Sequence, residues 1–339
     1  MNQKKLPTPE ELTPEYLREI AASFQKSRIF LTGYELGIFT ALGDKHCTAE
    51  EVAETAGCDV HAVDRLMNAL CVMGLLYKKA GRFSNAALAA RYLVQGKQDY
   101  LAGLMQVVDM WDNWNTLTEA VRCGTSIFPE HPIEREKISH ISFISAMHER
   151  ARKQTGVITA LLDFTKVNRI LDVGGGSGAY AMAFVRTHPD ASAVVFDLPE
   201  VIPLTQKYIQ QSRLCGMTDK IDCIAGDYTQ DDFGSGYDMV FLSAIIHSNS
   251  FDTNKRLIEK CVRAANPGGY VVVLDFIMDE DRTAPAGGTV FALNMLAATE
   301  SGDTYTESEV RSWMTDASLT EISRKDTGFG SALVIGRKA

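Results

Sequence analysis

A strand-like run, Arg169-Ile-Leu-Asp-Val173, passes without a break into Gly174-Gly-Gly-Ser-Gly178, and helical spacing resumes at Ala179, Ala183 and Val185. Strand, glycine turn and helix in that order restrict the fold sharply. Glycines accept positive φ and carry no Cβ to hold a ligand away, while the start of a helix presents free N–H groups. A cofactor is therefore expected at Gly174 and Gly176. The next apolar run, Ala193 to Phe196, ends in Asp197-Leu-Pro199, which puts Asp197 at a second strand tip. A carboxylate there can take both hydroxyls of a ribose.

Two ribose cofactors fit this much. Gly174, Gly176 and Ala179 match the dinucleotide fingerprint, with Asp197 at about the ~20-residue offset that NAD binding uses. Against NAD stands Asp172, an acid on the approach to the loop, which would repel a pyrophosphate but could receive the ammonium of a methionine moiety. A second glycine fingerprint, expected for the other mononucleotide half, is absent from the sequence. Asp227-Tyr228, after Gly226 at the end of a third apolar run, offers an acid and an aromatic ring to adenine. S-adenosylmethionine is the better match, and an NAD-dependent oxidoreductase is the more distant alternative.

From Val167 onward strands alternate with helices: Arg169 to Val173, Ala193 to Phe196, Ile221 to Ala225, Met239 to Ser243 and Tyr270 to Leu274. This predicts a Rossmann-like α/β domain over 161–339 with a mostly parallel sheet, closed by an antiparallel hairpin of Glu321 to Ser323 and Ser331 to Ile335. The first hundred residues read differently. Thr48-Ala-Glu-Glu51 is a capping box for a helix ended by Gly57, a second helix runs from His61 to Met73, and Leu75 to Phe83 makes a short hairpin. Residues 1–100 are thus expected to form an all-helical winged helix-turn-helix domain apart from that hairpin, after a loose tail of about a dozen residues. More helices, over 101–160, are expected to bridge the two.

A winged helix invites a DNA-binding reading, and a regulator with a cofactor-sensing domain would have that shape. The helix that would enter the groove, His61 to Leu70, carries one arginine and one aspartate, and the chain's net charge is −9. Such a surface does not hold phosphates. Packing and self-association are the expected use, giving a homodimer with no nucleic-acid partner. Its 339 residues contain no apolar run near the ~18 of a membrane helix, and its seven scattered cysteines form no Cys-x-x-Cys pair. A cytoplasmic protein with reduced thiols and no membrane partner is expected.

Chemistry in open α/β sheets sits at the carboxyl ends of the strands. His247 follows the fourth strand there and, as a neutral imidazole, can take a proton from a hydroxyl near pH 7. Asp275, ending the next strand, can fix the imidazole tautomer. On the helix Thr289 to Thr299, Phe291, Asn294, Met295 and Ala298 recur at helical spacing, with Asn294 able to hydrogen-bond a substrate. Trp114 and Met147, from the helical stretch before the sheet, join Phe291, Asn294 and Met295 as candidate acceptor contacts. Leu198, Gly226 and Ser243 join Asp172, Gly174, Gly176, Asp197, Asp227 and Tyr228 as candidate cofactor contacts. No metal is called for, since no cluster has ligand spacing.

Together Leu171-Asp-Val-Gly-Gly-Gly-Ser-Gly178, Phe196-Asp-Leu-Pro-Glu200, Gly226-Asp-Tyr228, Ile245-Ile-His247, Pro267-Gly-Gly269 and Leu293-Asn-Met-Leu296 carry a resemblance. Over nearly its whole length the chain resembles the S-adenosylmethionine-dependent small-molecule O-methyltransferases of the plant and acetylserotonin type. The resemblance implies methyl transfer to a hydroxyl of a small, aromatic metabolite. It implies that Gly174 and Asp197 hold the methionine and ribose parts, that Asp227 and Tyr228 flank adenine, that His247 is the general base and that Asp275 brackets it. Four positions depart from the pattern: Ser248-Asn249 stands where Asp-Trp usually follows the histidine, Ser243 where a basic residue is common, and Thr304 where a glutamate is often found. Methylation of nitrogen or carbon, or chemistry other than methylation on the same cofactor, is the nearer alternative.

Overall fold

The computed structural model describes residues 12–127, 133–212 and 218–339. The tail expected at the start lies almost wholly outside them. The chain divides into two compact units, 2–109 and 110–339.

In the first unit short helices pack around a two-stranded wing: α1 (Pro14–Ala22), α2 (Phe24–Glu35), α3 (Ile38–Leu42), α4 (Ala49–Ala56), α5 (Val60–Val72), β1 (Leu76–Lys79), β2 (Arg82–Asn85), α6 (Ala87–Tyr92) and the first part of α7 (Leu104–Asn115). The capping box of α4 forms in both directions: Glu51 N–H donates to Thr48 Oγ1 at 3.4 Å and Thr48 N–H to Glu51 Oε2 at 2.8 Å. Asp59 caps α5 by accepting from Ala62 N–H at 2.9 Å. Ile38, Phe39, Leu42, Met67, Leu70 and Phe83 close the core with no exposed surface. Helix α1 is another matter, for it buries none of its residues. Leu17, Ile20 and, at the start of α2, Phe24 are 66, 54 and 55% exposed.

The second unit holds α8 (Leu117–Cys123), α9 (Ile133–Leu161), β3 (Arg169–Val173), α10 (Ala179–Thr187), β4 (Ser192–Asp197), α11 (Ile202–Gln211), β5 (Ile221–Ala225), β6 (Tyr237–Ser243), α12 (Phe251–Ala264), β7 (Ala265–Asp275), β8 (Ile277–Met278), α13 (Ala286–Ala298), β9 (Tyr305–Thr306), α14 (Glu307–Asp316), β10 (Leu319–Asp326) and β11 (Ala332–Lys338). Helices expected between 101 and 160 are α7, α8 and α9, and the boundary between units falls inside α7. Seven strands form one sheet in the order β10-β11-β7-β6-β3-β4-β5. The five from β3 to β7 run parallel, β11 runs antiparallel to β7, and β10 runs antiparallel to β11.

The chain builds outward from β3 to β4 and β5, then comes back to place β6 on the other side of β3. Between the tips of β3 and β6 lies the switch point at which such sheets open a crevice. Alternation along each strand feeds two cores. Leu171, Val173, Val240, Leu242, Val271 and Val273 pack with Leu257, Ile258 and Cys261 of α12 and Val310 and Trp313 of α14. Ile170, Val195, Met239, Phe241, Val272 and Leu274 pack with Ile158 of α9 and the apolar face of α10. Among the described residues no helix is long and apolar enough to cross a membrane.

Candidate active site at the tips of β3, β4 and β6

The glycine loop closes tightly on its neighbours. Gly174 has φ +63°, and a Cβ there would stand 2.2 Å from Ile245 Cδ1. Its N–H donates to the Phe196 carbonyl at 2.7 Å, tying the loop to the tip of β4. From that tip Asp197 reaches back: Oδ2 accepts from Gly176 N–H at 2.7 Å and Oδ1 from Leu198 N–H at 2.8 Å. Each oxygen keeps a lone pair for a further donor. Burial raises the Asp197 carboxyl above the ordinary aspartate range, and the two backbone N–H groups oppose that shift. Gly226 donates to the Asp197 carbonyl at 2.9 Å, and any side chain at 226 would strike the Phe196 ring, 2.4 Å from its Cζ. These residues fit a ribose laid across the loop.

Asp172 does not stand where the sequence reading put it. Period-two alternation sends it to the face of β3 shared with Ile170, under α10, and it is fully buried. Oδ2 accepts from Ala181 N–H at 3.3 Å, and Oδ1 has no hydrogen-bond partner among the described residues. With no exposed surface it cannot meet an ammonium in this conformation; it supports the loop and the start of α10 from beneath. Burial, with a smaller contribution from the Asp197 charge, pushes its pKa from 3.8 up to about 7.

A raised folded-state pKa makes the sign of the pH effect definite. Between 3.8 and about 7 the folded chain keeps a proton that the unfolded chain has lost, so the stability this group confers disappears as pH rises through about 7. Ligand-free protein is expected to lose melting temperature from this source between about pH 4 and about pH 7 and to level off above that. Asp172→Asn should melt higher than the parent at the upper end and show a flatter profile. Parallel profiles in thermal melts across that range would remove Asp172 from this role.

Beyond β6 the chain turns through Ala244, at φ +57°, into one turn of 3-10 helix over Ile246–Ser248 that presents His247. The imidazole and the Asp275 carboxylate are both buried, and Nδ1 lies 2.9 and 3.0 Å from the two oxygens. Asp275 Oδ1 is held in turn by the Phe276 N–H at 2.8 Å. With Nδ1–H donated to the carboxylate, Nε2 is left as the acceptor. Phe291 of α13 meets the imidazole edge-on, centroids 4.8 Å apart, and Phe276 packs on Phe291 at 5.0 Å.

Asn249 fills the place of the expected tryptophan and is buried. Its Nδ2 donates to Asn254 Oδ1 at 3.1 Å, and its Oδ1 accepts from the Tyr228 hydroxyl at 3.2 Å. Asn254 Nδ2 donates to the Ile246 carbonyl at 2.7 Å, and the Tyr305 hydroxyl donates to the Asn249 carbonyl at 2.5 Å. The turn bearing His247 and the loop bearing Tyr228 thus share one hydrogen-bonded network.

Other candidates fall unevenly. The Asp227 carboxylate closes its own turn, taking Thr229 N–H and Oγ1 at 2.7 Å each and Gln230 Nε2 at 3.1 Å. These bonds, led by that from the Thr229 hydroxyl, hold its pKa below the usual range. Asn294 gives its carbonyl oxygen to Trp114, whose Nε1–H donates at 2.6 Å, so the two form a pair instead of lining the cleft independently. Met295 is buried, whereas Met147 and Ser243 are half-buried. Ser243 interacts with the buried Tyr180 hydroxyl. Thr304 is buried, and the adjoining Asp303 N–H donates to the His247 carbonyl at 3.0 Å.

The sequence reading missed His148. On α9 it follows Ile144, which touches the position of a Gly176 Cβ at 3.5 Å, by one helical turn. Its Nδ1 lies 2.8 Å from Ser177 Oγ, its ring stacks on Tyr208 with centroids 4.2 Å apart, and burial followed by the Arg152 charge lowers its pKa to about 4. It is a neutral prop for the glycine loop. The i, i+4 pair Ile144 and His148 was the signal available.

With this geometry in view, residues 114–319 match the O-methyltransferase domain and residues 18–95 the O-methyltransferase dimerisation domain. A 3-hydroxy-5-methyl-1-naphthoate 3-O-methyltransferase of Streptomyces sahachiroi is 33% identical over 93% of this chain and 92% of its own. Bovine acetylserotonin O-methyltransferase is 27% identical over 95 and 97%. Among solved structures, PigF with S-adenosylhomocysteine superimposes with a TM-score of 0.87 at 22% identity, covering 96% of this chain and 100% of that one. Human N-acetylserotonin methyltransferase in complex with S-adenosylmethionine gives 0.82 at 23%, covering 98 and 100%. The chain belongs to the O-methyltransferase family, with that family's dimerisation domain ahead of its S-adenosylmethionine-dependent catalytic domain.

Proposed function

We propose that this protein methylates a hydroxyl of a small aromatic metabolite, with His247 as general base. The observation that carries the reading is the buried His247–Asp275 pair, 2.9 Å apart, placed at the tip of β6 beside the glycine loop. S-adenosylmethionine, when bound, supplies a methyl group already activated by its sulfonium. Gly174, Gly176, Asp197 and Leu198 hold its ribose and methionine ends, and the Tyr228 ring, backed by Asn249, takes the adenine; Gly226 keeps that path clear. His247 Nε2 removes the acceptor proton while Asp275 fixes the tautomer and stabilises the imidazolium. Phe291, Met147 and the Trp114–Asn294 pair supply an aromatic and polar wall for the acceptor. Because the methyl is activated in advance, alignment is the protein's main contribution, a factor that can reach ~7 kcal/mol or more.

The relatives that act on a naphthoate and on acetylserotonin support an aromatic acceptor. The exposed apolar edge of Leu17, Ile20 and Phe24 supports a homodimer through the first domain, since a second copy would cover it. We place the domains at 1–100 and 161–339 with a helical bridge between, in a cytoplasmic protein that needs neither nucleic acid nor membrane. Calorimetric titration with S-adenosylmethionine, S-adenosylhomocysteine and NAD in parallel tests the cofactor before any acceptor is known. Binding of the first two alone is expected, followed by S-adenosylhomocysteine release with hydroxylated naphthalenes; binding of NAD alone would overturn the reading.

A further inference from the structure

We infer that Asn249 is a positioning residue that couples adenine binding at Tyr228 to the steadiness of the turn carrying His247, an assignment that rests on the methyl-transfer reading. That turn is poorly held by its own backbone. It leaves β6 through Ala244, whose φ of +57° lies in the left-handed region that a residue with a Cβ rarely adopts, and it is a single turn of 3-10 helix. Its own closing bonds run from Ser248 N–H to the Ile245 carbonyl at 3.1 Å and from Asn249 N–H to the Ile246 carbonyl at 3.3 Å. Both carbonyls also receive a side-chain amide: Asn254 Nδ2 donates to Ile246 at 2.7 Å, and Asn249 Nδ2 reaches Ile245 at 3.4 Å. Buried amides therefore brace the segment from which the base projects.

The two amides fix each other's orientation. Because Asn254 gives its Nδ2 to Ile246, its Oδ1 faces Asn249, which answers with Nδ2 at 3.1 Å. That leaves Asn249 Oδ1 to accept from the Tyr228 hydroxyl, 3.2 Å away. Turning either amide over would set two acceptors face to face. At its other end Tyr228 is anchored from α12, where Lys260 Nζ donates to the Tyr228 carbonyl at 2.8 Å and to the Asp231 carbonyl at 2.7 Å. With the main chain fixed there, the freedom left to the ring is its swing toward or away from Asn249. An adenine packed on the ring face narrows that swing, keeps the hydroxyl on Asn249 and steadies the turn. By linkage, a steady turn favours the bound cofactor to the same extent. Asp275 and Phe291 hold the imidazole itself, and Asn249 holds the backbone beneath it.

Hydrogen exchange on the full chain, followed by mass spectrometry over residues 244–250, reads the turn without any acceptor. The parent, Tyr228→Phe, Asn249→Leu and the double variant are each measured free and saturated with S-adenosylhomocysteine, with saturation set by calorimetry. In the parent the ligand should slow exchange there by about fivefold or more. Tyr228→Phe keeps the ring and removes the hydroxyl alone, Asn249→Leu removes the amide, and in both the saturating ligand should change exchange by less than about twofold. The double variant should respond no differently from either single one, since both cut the same contact. A residue that only supports the fold would raise exchange with and without ligand alike and leave the ratio at the parent's value. Should Asn249→Leu fail to fold, Tyr228→Phe carries the test by itself. A ratio preserved in either folded variant, or a parent whose turn does not respond to bound S-adenosylhomocysteine, overturns the coupling. A parent that does not bind S-adenosylhomocysteine overturns the methyltransferase reading instead.

Discussion

His247→Ala is expected to lower turnover by about 10²- to 10⁴-fold while leaving the dissociation constant for S-adenosylhomocysteine within about threefold of the parent. The split follows from where the imidazole stands. Its Nδ1 is committed to Asp275, its ring is packed against Phe291, and the groups placed to hold ribose come from β3, β4 and the glycine loop. Removing the ring leaves those groups in place and takes away only the proton acceptor. It also leaves the Asp275 carboxylate buried without its partner, although the Phe276 N–H still satisfies one oxygen. A modest loss of melting temperature is therefore part of the expectation, and His247→Gln, which can still donate toward Asp275, separates that cost from the loss of the base. Steady-state product release at saturating cofactor, read beside calorimetry, makes the check. Cofactor affinity and turnover falling together by the same factor in both variants would mark His247 as structural.

How far such a site can be read in advance depends on whether its determinants are local in sequence. The Thr48–Glu51 capping box, the Gly174–Gly178 loop and the placing of Asp197 and His247 at strand tips were legible, because each is a short-range pattern with a steric or hydrogen-bonding cause. Boundaries were less so. Strand β7 begins at Ala265, not Tyr270, since Pro267-Gly-Gly269 reads as a turn yet continues the strand, and α13 starts at Ala286 because Gly287 and Gly288 are carried into the helix. Asp172 was misplaced although alternation with Ile170 pointed to the buried face; its charge drew the reading toward a ligand. Asn294 was expected to be free, and no local pattern could show that Trp114, 180 positions away, takes its oxygen. His148 was missed for the same reason: how a long helix docks on the sheet is decided by packing that one segment does not contain.

Asp197→Ala should produce the complementary result. The carboxylate sits at the tip of β4 with one backbone N–H on each oxygen, and the lone pairs that remain are the ones two adjacent ribose hydroxyls would meet. Hydrogen bonds to a charged group are worth about 1.5–3 kcal/mol each, so losing the pair should weaken S-adenosylhomocysteine by about 100-fold or more. Turnover at saturating cofactor should fall less than tenfold, because His247 and Asp275 stand at the tips of β6 and β7. Asp197→Asn is not a mild version of this change. Its amide nitrogen would have to face either the Gly176 or the Leu198 N–H, donor against donor, so its affinity should fall nearly as far. Acid should weaken cofactor binding in the parent as well: burial raises the Asp197 carboxyl above the ordinary range, and protonation leaves it one acceptor short for two hydroxyls and two N–H groups. Calorimetry of the parent and both variants from neutral to mildly acidic pH measures all of this. A dissociation constant that Asp197→Ala leaves unchanged would remove the ribose from β4 and reassign the loop.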